Sequence, residues 1–158
     1  MRRLCIAAVL ATLLAPPSRA AESDVASLID LQGGGFIFNY NIAEVFYGVL
    51  VKPRRALPVG TEVEASFEDP AGGPPIVVTE TFHGSPRPMS LRTPPVQGVR
   101  ANRDYRVTIR LRDPASGAVL GETTKTFRSD LDQSILPPRR LTVGPGYQAA
   151  PPPDAESK

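Results

Sequence analysis

Residues 105–111 alternate strictly between apolar and polar side chains, with the apolar positions at Tyr105, Val107, Ile109 and Leu111. A period of two is typical of a β-strand with one buried face and one solvated face. Residues 113–117, Asp-Pro-Ala-Ser-Gly, have the composition of a turn, and residues 118–128 follow as a second extended segment. The two segments predict a β-hairpin, and the hairpin predicts an all-β fold of antiparallel sheets.

The preceding part of the chain supplies further strand candidates, separated by loops rich in glycine and proline. Residues 61–68 alternate cleanly, so that Val63, Ala65 and Phe67 would face a core and the glutamates would face solvent. Other strands are predicted at residues 36–40, 43–52, 76–82 and 89–92. About seven strands at this spacing indicate a β-sandwich.

Composition divides the chain into four regions. They are an export leader at residues 1–20, a leader segment at 21–35, a β-sandwich domain at 36–136 and a Pro-rich tail at 137–158. Within the leader segment, residues 22–32 fit either a helical turn or a first strand, and the glycines at 33–35 should break any regular element. The tail has few apolar residues, so we expect it to be disordered.

The first region has the features of a signal peptide. Arg2 and Arg3 precede an uncharged apolar run that is shorter than the roughly 20 residues a membrane span needs. Small residues at its end predict cleavage after Ala20. Cys5 would leave with the leader, and the mature chain would then contain no cysteine and no disulfide. We expect the protein in the bacterial periplasm, with secretion as the alternative.

The charge balance argues against binding to nucleic acid. The full chain has 18 Lys and Arg against 16 Asp and Glu, but three of the arginines lie in the predicted leader. The mature chain would therefore be nearly neutral, whereas nucleic-acid-binding proteins present a strongly basic surface.

Basic residues of the predicted hairpin are the strongest candidates for a binding site. They would form a strip on one face of a sheet, and its members are Arg106, Arg110, Arg112, Lys125 and Arg128. Arginine forms paired hydrogen bonds to carboxylate, phosphate or sulfate. An anionic polysaccharide or an acidic envelope protein would fit such a strip. The alternative is an ordinary solvated face that is neutralised by glutamates on neighbouring strands.

Residues that could carry catalysis are few. His83 is the one histidine of the chain, and no Gly-x-Ser-x-Gly elbow accompanies it. A chain with one histidine and no mature cysteine is a poor source of zinc ligands. The loop aspartates are expected to stabilise turns rather than bind calcium, and they are Asp69, Asp113, Asp130 and Asp132. We therefore predict no catalytic residue, no metal site and no cofactor.

Three glutamates leave one enzymatic alternative open. Glu62, Glu64 and Glu68 share the solvated face of a predicted strand. Pairs of carboxylates that flank a sugar are the catalytic groups of glycoside hydrolases, although a row on a strand is more simply a solvated face. The alternative function is thus a small periplasmic carbohydrate-active hydrolase.

The segment Val99-Arg100-Ala101-Asn102-Arg103-Asp104-Tyr105 resembles the turn before the sixth strand of fibronectin type III domains, within the immunoglobulin-like sandwich superfamily. Val99 takes the place of the family's Leu and Tyr105 that of its Tyr, whereas Ala101 replaces the family's Pro. The resemblance implies a tyrosine corner, in which the Tyr105 hydroxyl bonds a backbone group a few residues upstream. The family's core Trp is missing, and Phe46 or Tyr47 would fill that space. The resemblance implies a binding or spacer module. Together with the export leader, the strand count and the lack of a convergent catalytic set, it leads us to predict an exported, non-enzymatic module for protein or glycan binding or for structural spacing in the bacterial envelope.

Overall fold

The computed structural model describes residues 28–146 and 148–152. The predicted export leader, with Cys5 and its cleavage site, lies outside the described residues, and so do residues 21–27 of the leader segment and residues 153–158 of the tail. No helix among the described residues is long and apolar enough to cross a membrane.

Seven strands form a sandwich of two antiparallel sheets: β1 (Ile29–Asn39), β2 (Glu44–Pro53), β3 (Glu62–Phe67), β4 (Ile76–Thr81), β5 (Met89–Arg92), β6 (Arg103–Arg112) and β7 (Val119–Ser129). The small sheet has the order β1–β2–β5, and the large sheet has the order β4–β3–β6–β7. The predicted all-β antiparallel sandwich is confirmed. Residues 29–32, which the sequence left open between helix and strand, are strand.

The alternation in the sequence sets which face of each strand is buried. In β6 the predicted inward residues are completely buried, and its neighbour β3 buries Val63, Ala65 and Phe67 as predicted. The register pairs Ala65 with Ile109 and Phe67 with Val107, so that apolar side chains of adjacent strands lie side by side. The small sheet covers this layer with Val45, Tyr47, Val49 and Val51 of β2, each at most 3% exposed.

The aromatic centre of the core joins the two sheets. Tyr47 of β2 stacks on Phe36 of β1 at 4.3 Å between ring centroids and meets Phe67 of β3 edge to face at 4.9 Å. Of the two residues that the sequence offered for the centre of the core, Tyr47 is the one that fills it. Phe46, the other candidate, lies on the opposite face of β2, because it pairs with the exposed Ile37.

The tyrosine corner is present at the start of β6. The Tyr105 hydroxyl accepts a hydrogen bond from the backbone N–H of Arg100 at 2.8 Å, and Tyr105 and Val99 are both buried. Asn102, in the turn between them, has a φ of 58°. An asparagine tolerates this left-handed conformation better than most residues, which lets the chain turn tightly enough for the bond to form.

The prediction that three glycines break the chain at 33–35 is wrong, because all three lie within β1. Gly34 pairs with the buried Val49 and so has the parity of the inner face, although it is exposed on the edge strand β1, and a Cβ built there would lie 2.6 Å from Cζ of Phe127 in β7. Gly35 has a φ of 146°, which L-residues rarely adopt. Tertiary packing between β1 and β7 therefore overrides the low strand propensity of glycine.

Part of the predicted disordered tail forms a small hairpin in the structure. Its strands are β8 (Thr142–Val143) and β9 (Gln148–Ala149), which pair antiparallel. The backbone N–H groups of Leu141 and Thr142 both donate to the carbonyl oxygen of Asn41, in the turn between β1 and β2. A salt bridge of 2.9 Å between Arg140 and Glu44 adds to this attachment.

Candidate functional site

The outer face of the small sheet carries a shallow depression of about 250 Å³, which we call the glycine groove. Its floor is the backbone of Gly33, Gly35 and Gly48, with Ile37 and Leu50 at the two ends and Ser90 and Arg92 along the β5 side. Gly35 and Gly48 are direct partners across β1 and β2, and Arg92 of β5 is the next residue across. The two adjacent strands β1 and β2 therefore both lack a side chain at this register position, and the depression forms there.

Each glycine of the floor has a different relation to its surroundings. A Cβ at Gly48 would lie 3.2 Å from the carbonyl oxygen of Leu91, so close packing restricts that position. At Gly35 the positive φ is the restriction. At Gly33 a Cβ would meet no described atom within 4 Å, and no positive φ constrains the residue. A side chain at position 33 would therefore project freely into the groove.

Arg92 supplies the charge of the groove. Its guanidinium carbon lies 4.7 Å from the ring centroid of Phe46, which is a cation–π contact. Arg92 has no carboxylate partner among the described residues, and it is the only charged residue of those that line the groove. The two acidic residues in the strands of the small sheet are engaged elsewhere, since Asp30 pairs with Arg54 and Glu44 with Arg140.

The predicted basic strip divides between two faces of the large sheet. Arg106, Arg110, Arg112 and Arg128 lie on its outer face, as predicted. Lys125 does not join them, because it pairs with the buried Val107 and so has the parity of the inner face. Its side chain remains exposed, since β7 is an edge strand.

Glutamates of the neighbouring strands neutralise the centre of the strip. Glu64 of β3 makes ion pairs with Arg110 at 3.2 Å and with Arg112 at 3.3 Å, and Arg110 also bonds Glu122 of β7. The Glu122 carboxylate, followed by Glu64, raises the pKa of Arg110 above its ordinary value. The charges thus form a ladder across three strands rather than an uncompensated basic surface.

The two ends of the strip differ from each other. Arg128 bonds Asp104 at 2.8 Å, and this bond lowers the pKa of the Asp104 carboxyl. Arg106 has no ion pair among the described residues and borders a polar cavity of about 340 Å³. Glu68 and Asp69 line the same cavity, so an anion next to Arg106 would also approach two carboxylates.

The glutamates of the enzymatic alternative lie on the same outer face. Glu64 has both carboxylate oxygens in ion pairs, and Glu68 accepts hydrogen bonds from Arg103 and from the backbone N–H of Arg106. Glu62 stands opposite Arg112 in the register, but no ion pair joins the two. Carboxylates bound in this way stabilise the surface of the sheet.

The remaining candidate residues lie in loops. His83 is exposed after the end of β4. Asp69, Asp113 and Asp132 each accept hydrogen bonds from backbone N–H groups two to four residues ahead, which is the predicted turn role. Within residues 28–146 and 148–152 there is no group of three or more His, Cys, Asp or Glu that could hold a metal ion.

Comparisons with known proteins yield structural likenesses alone. No protein-family model matches the sequence, and no curated protein matches it. Two solved structures of β-glucuronidase 2 from Bacteroides uniformis are similar to it, a calcium-binding mutant with a TM-score of 0.43 and a complex covalently bound to cyclophellitol-6-carboxylate aziridine with a TM-score of 0.41. Each is 16% identical over 65% of this chain, and the chain spans 13% of each enzyme.

The sequence did not point to the glycine groove. Its residues come from the consecutive strands β1 and β2 and from β5, which is separated from β2 in the chain by two strands of the other sheet, and its defining feature is missing side chains. The available signal was the pair Gly33 and Gly35, spaced two apart and therefore on one face of a strand. The same glycine run also fits a break in the strand, which is the expectation that the structure corrects.

Proposed function

We propose that this chain is a non-enzymatic β-sandwich module that binds another molecule through the glycine groove. The observation that carries the proposal is the contrast between the two outer faces. On the large sheet, charged side chains are largely paired with one another, whereas the small sheet presents an apolar depression with one uncompensated arginine. Concave apolar surfaces with a few polar groups are the usual form of ligand sites.

Gly33 supports a binding role for this face. Glycine within a strand costs about 0.5–1 kcal/mol relative to alanine, and it often marks a β-bulge, such as the register shift between Leu31 and Gly33, or a site where a ligand or another backbone approaches closely. Gly34 and Gly35 have structural reasons to be glycine, but a Cβ at Gly33 would meet nothing within 4 Å among the described atoms. The absence of a side chain there keeps the groove open.

The proposal also includes a finer assignment of the sandwich fold. The fourth strand pairs with the third and lies in the large sheet, unlike the constant-type immunoglobulin arrangement, in which it joins the other sheet. Together with the tyrosine corner at Tyr105, this order favours a fibronectin type III-like module. Such modules serve in binding or spacing.

We place the module in the bacterial envelope, in the periplasm first and outside the cell as the alternative. The support is the sequence of residues 1–20, with its basic start, short apolar run and small residues before Ala21. Mass spectrometry of the protein from a bacterial host tests this placement. A mature chain that begins at Ala21 supports it, and a cytosolic protein that retains Met1 contradicts it.

Binding titrations against defined envelope polysaccharides and peptides test the proposed function. The Gly33→Val variant fills the groove, and Thr79→Val, on the outer face of the large sheet, is the matched control. The proposal expects a ligand that binds the wild-type protein and Thr79→Val but not Gly33→Val. If nothing in the panel binds, or if Gly33→Val binds as well as the wild type, the proposal is wrong.

A further inference from the structure

We infer that the glycine groove accepts a six-membered sugar ring that carries a carboxylate, as one unit of an acidic polysaccharide. The inference rests on the proposed function and names the ligand class of the same site. It depends on three features of the groove, which are its flat floor, its single charge and its place on the sheet.

The floor suits a flat, weakly polar ring. Gly35 and Gly48 expose backbone over two adjacent strands, which are about 4.8 Å apart. Ile37 and Leu50 stand at opposite ends, with 52% and 38% of their surface exposed. The C–H face of a pyranose ring can lie on this floor between the two aliphatic side chains, and its hydroxyls then point outward or toward Ser90.

The charge of the groove favours an anionic group on that ring. The ring of Phe46 holds the Arg92 guanidinium at 4.7 Å, which limits its freedom and leaves its N–H groups available. A guanidinium forms two parallel hydrogen bonds to a carboxylate. No acidic residue lines the groove, so a bound carboxylate meets one cation and no repelling charge. A neutral sugar would leave Arg92 without its partner.

The place of the groove on the sheet favours a sugar over an extended peptide. β2 pairs with β1 on one side and β5 on the other, so its backbone hydrogen bonds are used within the sheet at this level. A peptide that extends a sheet needs a free edge and its backbone groups. The groove lies on the face of the sheet. A ligand there contacts side chains and the exposed glycine backbone, and it does not extend the sheet as a further strand.

Affinity measurements with three polymers test the inference on the full chain. The probes are polygalacturonate, the neutral glucan dextran and the acidic peptide polyglutamate. We expect binding to polygalacturonate that weakens as salt increases, and none to dextran or polyglutamate. Both Arg92→Gln and Gly33→Val should reduce the affinity roughly 10-fold or more, and Arg92→Lys should fall between Arg92→Gln and the wild type.

Control variants on the other sheet show whether the effect belongs to the groove. Arg106→Gln removes an arginine from the outer face of the large sheet, and Thr79→Val adds apolar surface to the same face. Both should bind polygalacturonate as the wild type does, and thermal unfolding should show that all variants fold.

The outcomes separate the inference from the proposed function. If Gly33→Val abolishes binding to dextran or polyglutamate while polygalacturonate never binds, the groove is a ligand site and the inferred ligand class is wrong. If polygalacturonate binds but Arg106→Gln abolishes binding while Gly33→Val does not, the strip on the large sheet is the site. If none of the three polymers binds, the inference fails, and the wider panel of envelope ligands then decides the proposed function.

Discussion

The hydroxyl of Tyr47 donates a hydrogen bond to the backbone carbonyl oxygen of Tyr105 at 3.0 Å, and this bond crosses the core from the small sheet to the large one. Tyr105 in turn accepts a bond from Arg100 through its own hydroxyl. The two tyrosines therefore connect both sheets with the turn before β6. A buried polar group is tolerated in this core because each hydroxyl has a partner.

Replacing Tyr47 with Phe should destabilise the fold without changing its packing. The substitution removes the donor to the Tyr105 carbonyl and keeps the ring that stacks on Phe36. We expect the free energy of unfolding to fall by about 1–2 kcal/mol, the cost of losing a buried hydrogen bond. Urea titration measures the change, and a variant as stable as the wild type would show that the bond contributes nothing.

Stability should decrease at alkaline pH because of the same residue. Burial, with smaller contributions from the charge of Glu68 and from Tyr105, raises the pKa of Tyr47 well above its ordinary value. The unfolded chain releases this proton at about pH 10, whereas the folded chain retains it, so the free energy of unfolding falls as pH rises above about 10.

The Tyr47→Phe variant is the control for this alkaline effect. Its free energy of unfolding should fall less steeply above about pH 10, because the difference in proton binding at position 47 is gone. Urea titrations at about pH 8 and pH 11 compare the two proteins. Equal losses in both would assign the alkaline effect to other groups.

Gly34→Ala should be destabilising, and Gly33→Ala should not. An added Cβ at Gly34 would overlap the Phe127 ring, whereas nothing described lies within 4 Å of one at Gly33. Overpacking of this kind costs about 1–3 kcal/mol, while replacing an unconstrained glycine is neutral or stabilises by up to about 1 kcal/mol. Combining Gly34→Ala with Phe127→Leu should recover part of the lost stability, as measured by thermal unfolding. If the effects of the two substitutions are fully additive, the Phe127 ring is not what the added methyl group collides with.

Glu64 should contribute more to stability than its neighbour Glu62. The Glu64 side chain is 17% exposed and pairs with two arginines, whereas no described residue forms an ion pair with Glu62. We expect Glu64→Gln to cost about 1 kcal/mol and Glu62→Gln to stay within about 0.5 kcal/mol of the wild type. The difference should shrink in about 1 M NaCl, where the screening length is about 3 Å.

The same two variants examine the enzymatic alternative. A hydrolase that used this row would lose turnover of its polysaccharide in Glu62→Gln or Glu64→Gln. Our proposal expects no turnover in the wild-type protein. A measurable rate that either substitution abolishes would instead make the row catalytic.

Alternation in the sequence was sufficient to predict the strands that line the core. β3 and β6 each carry a clean period of two, and their inward residues are buried as the pattern requires. The bond of the Tyr105 hydroxyl could be predicted because its partner, Arg100, lies only five residues earlier in the chain. A local sequence pattern predicts the structure correctly where the residues that form the element are also close together in the chain.

Contacts between strands that are distant in the chain could not be predicted from the local sequence. The space for a side chain at Gly34 is taken by Phe127, more than ninety residues later in the chain. The face on which Lys125 lies depends on the register between β6 and β7, which pairs it with the buried Val107 and which the sequence does not state. The glycine groove depends on the register of three strands at once.

The most direct test of the central claim, that the small sheet's outer face is the binding surface, is an NMR titration of the isotope-labelled protein with oligogalacturonate. Our account predicts that the backbone amide signals of Gly33, Gly35, Gly48 and Arg92 shift with ligand concentration, while those of Glu64 and Arg110 stay in place. Shifts confined to the outer face of the large sheet, or no shifts at all, would contradict it.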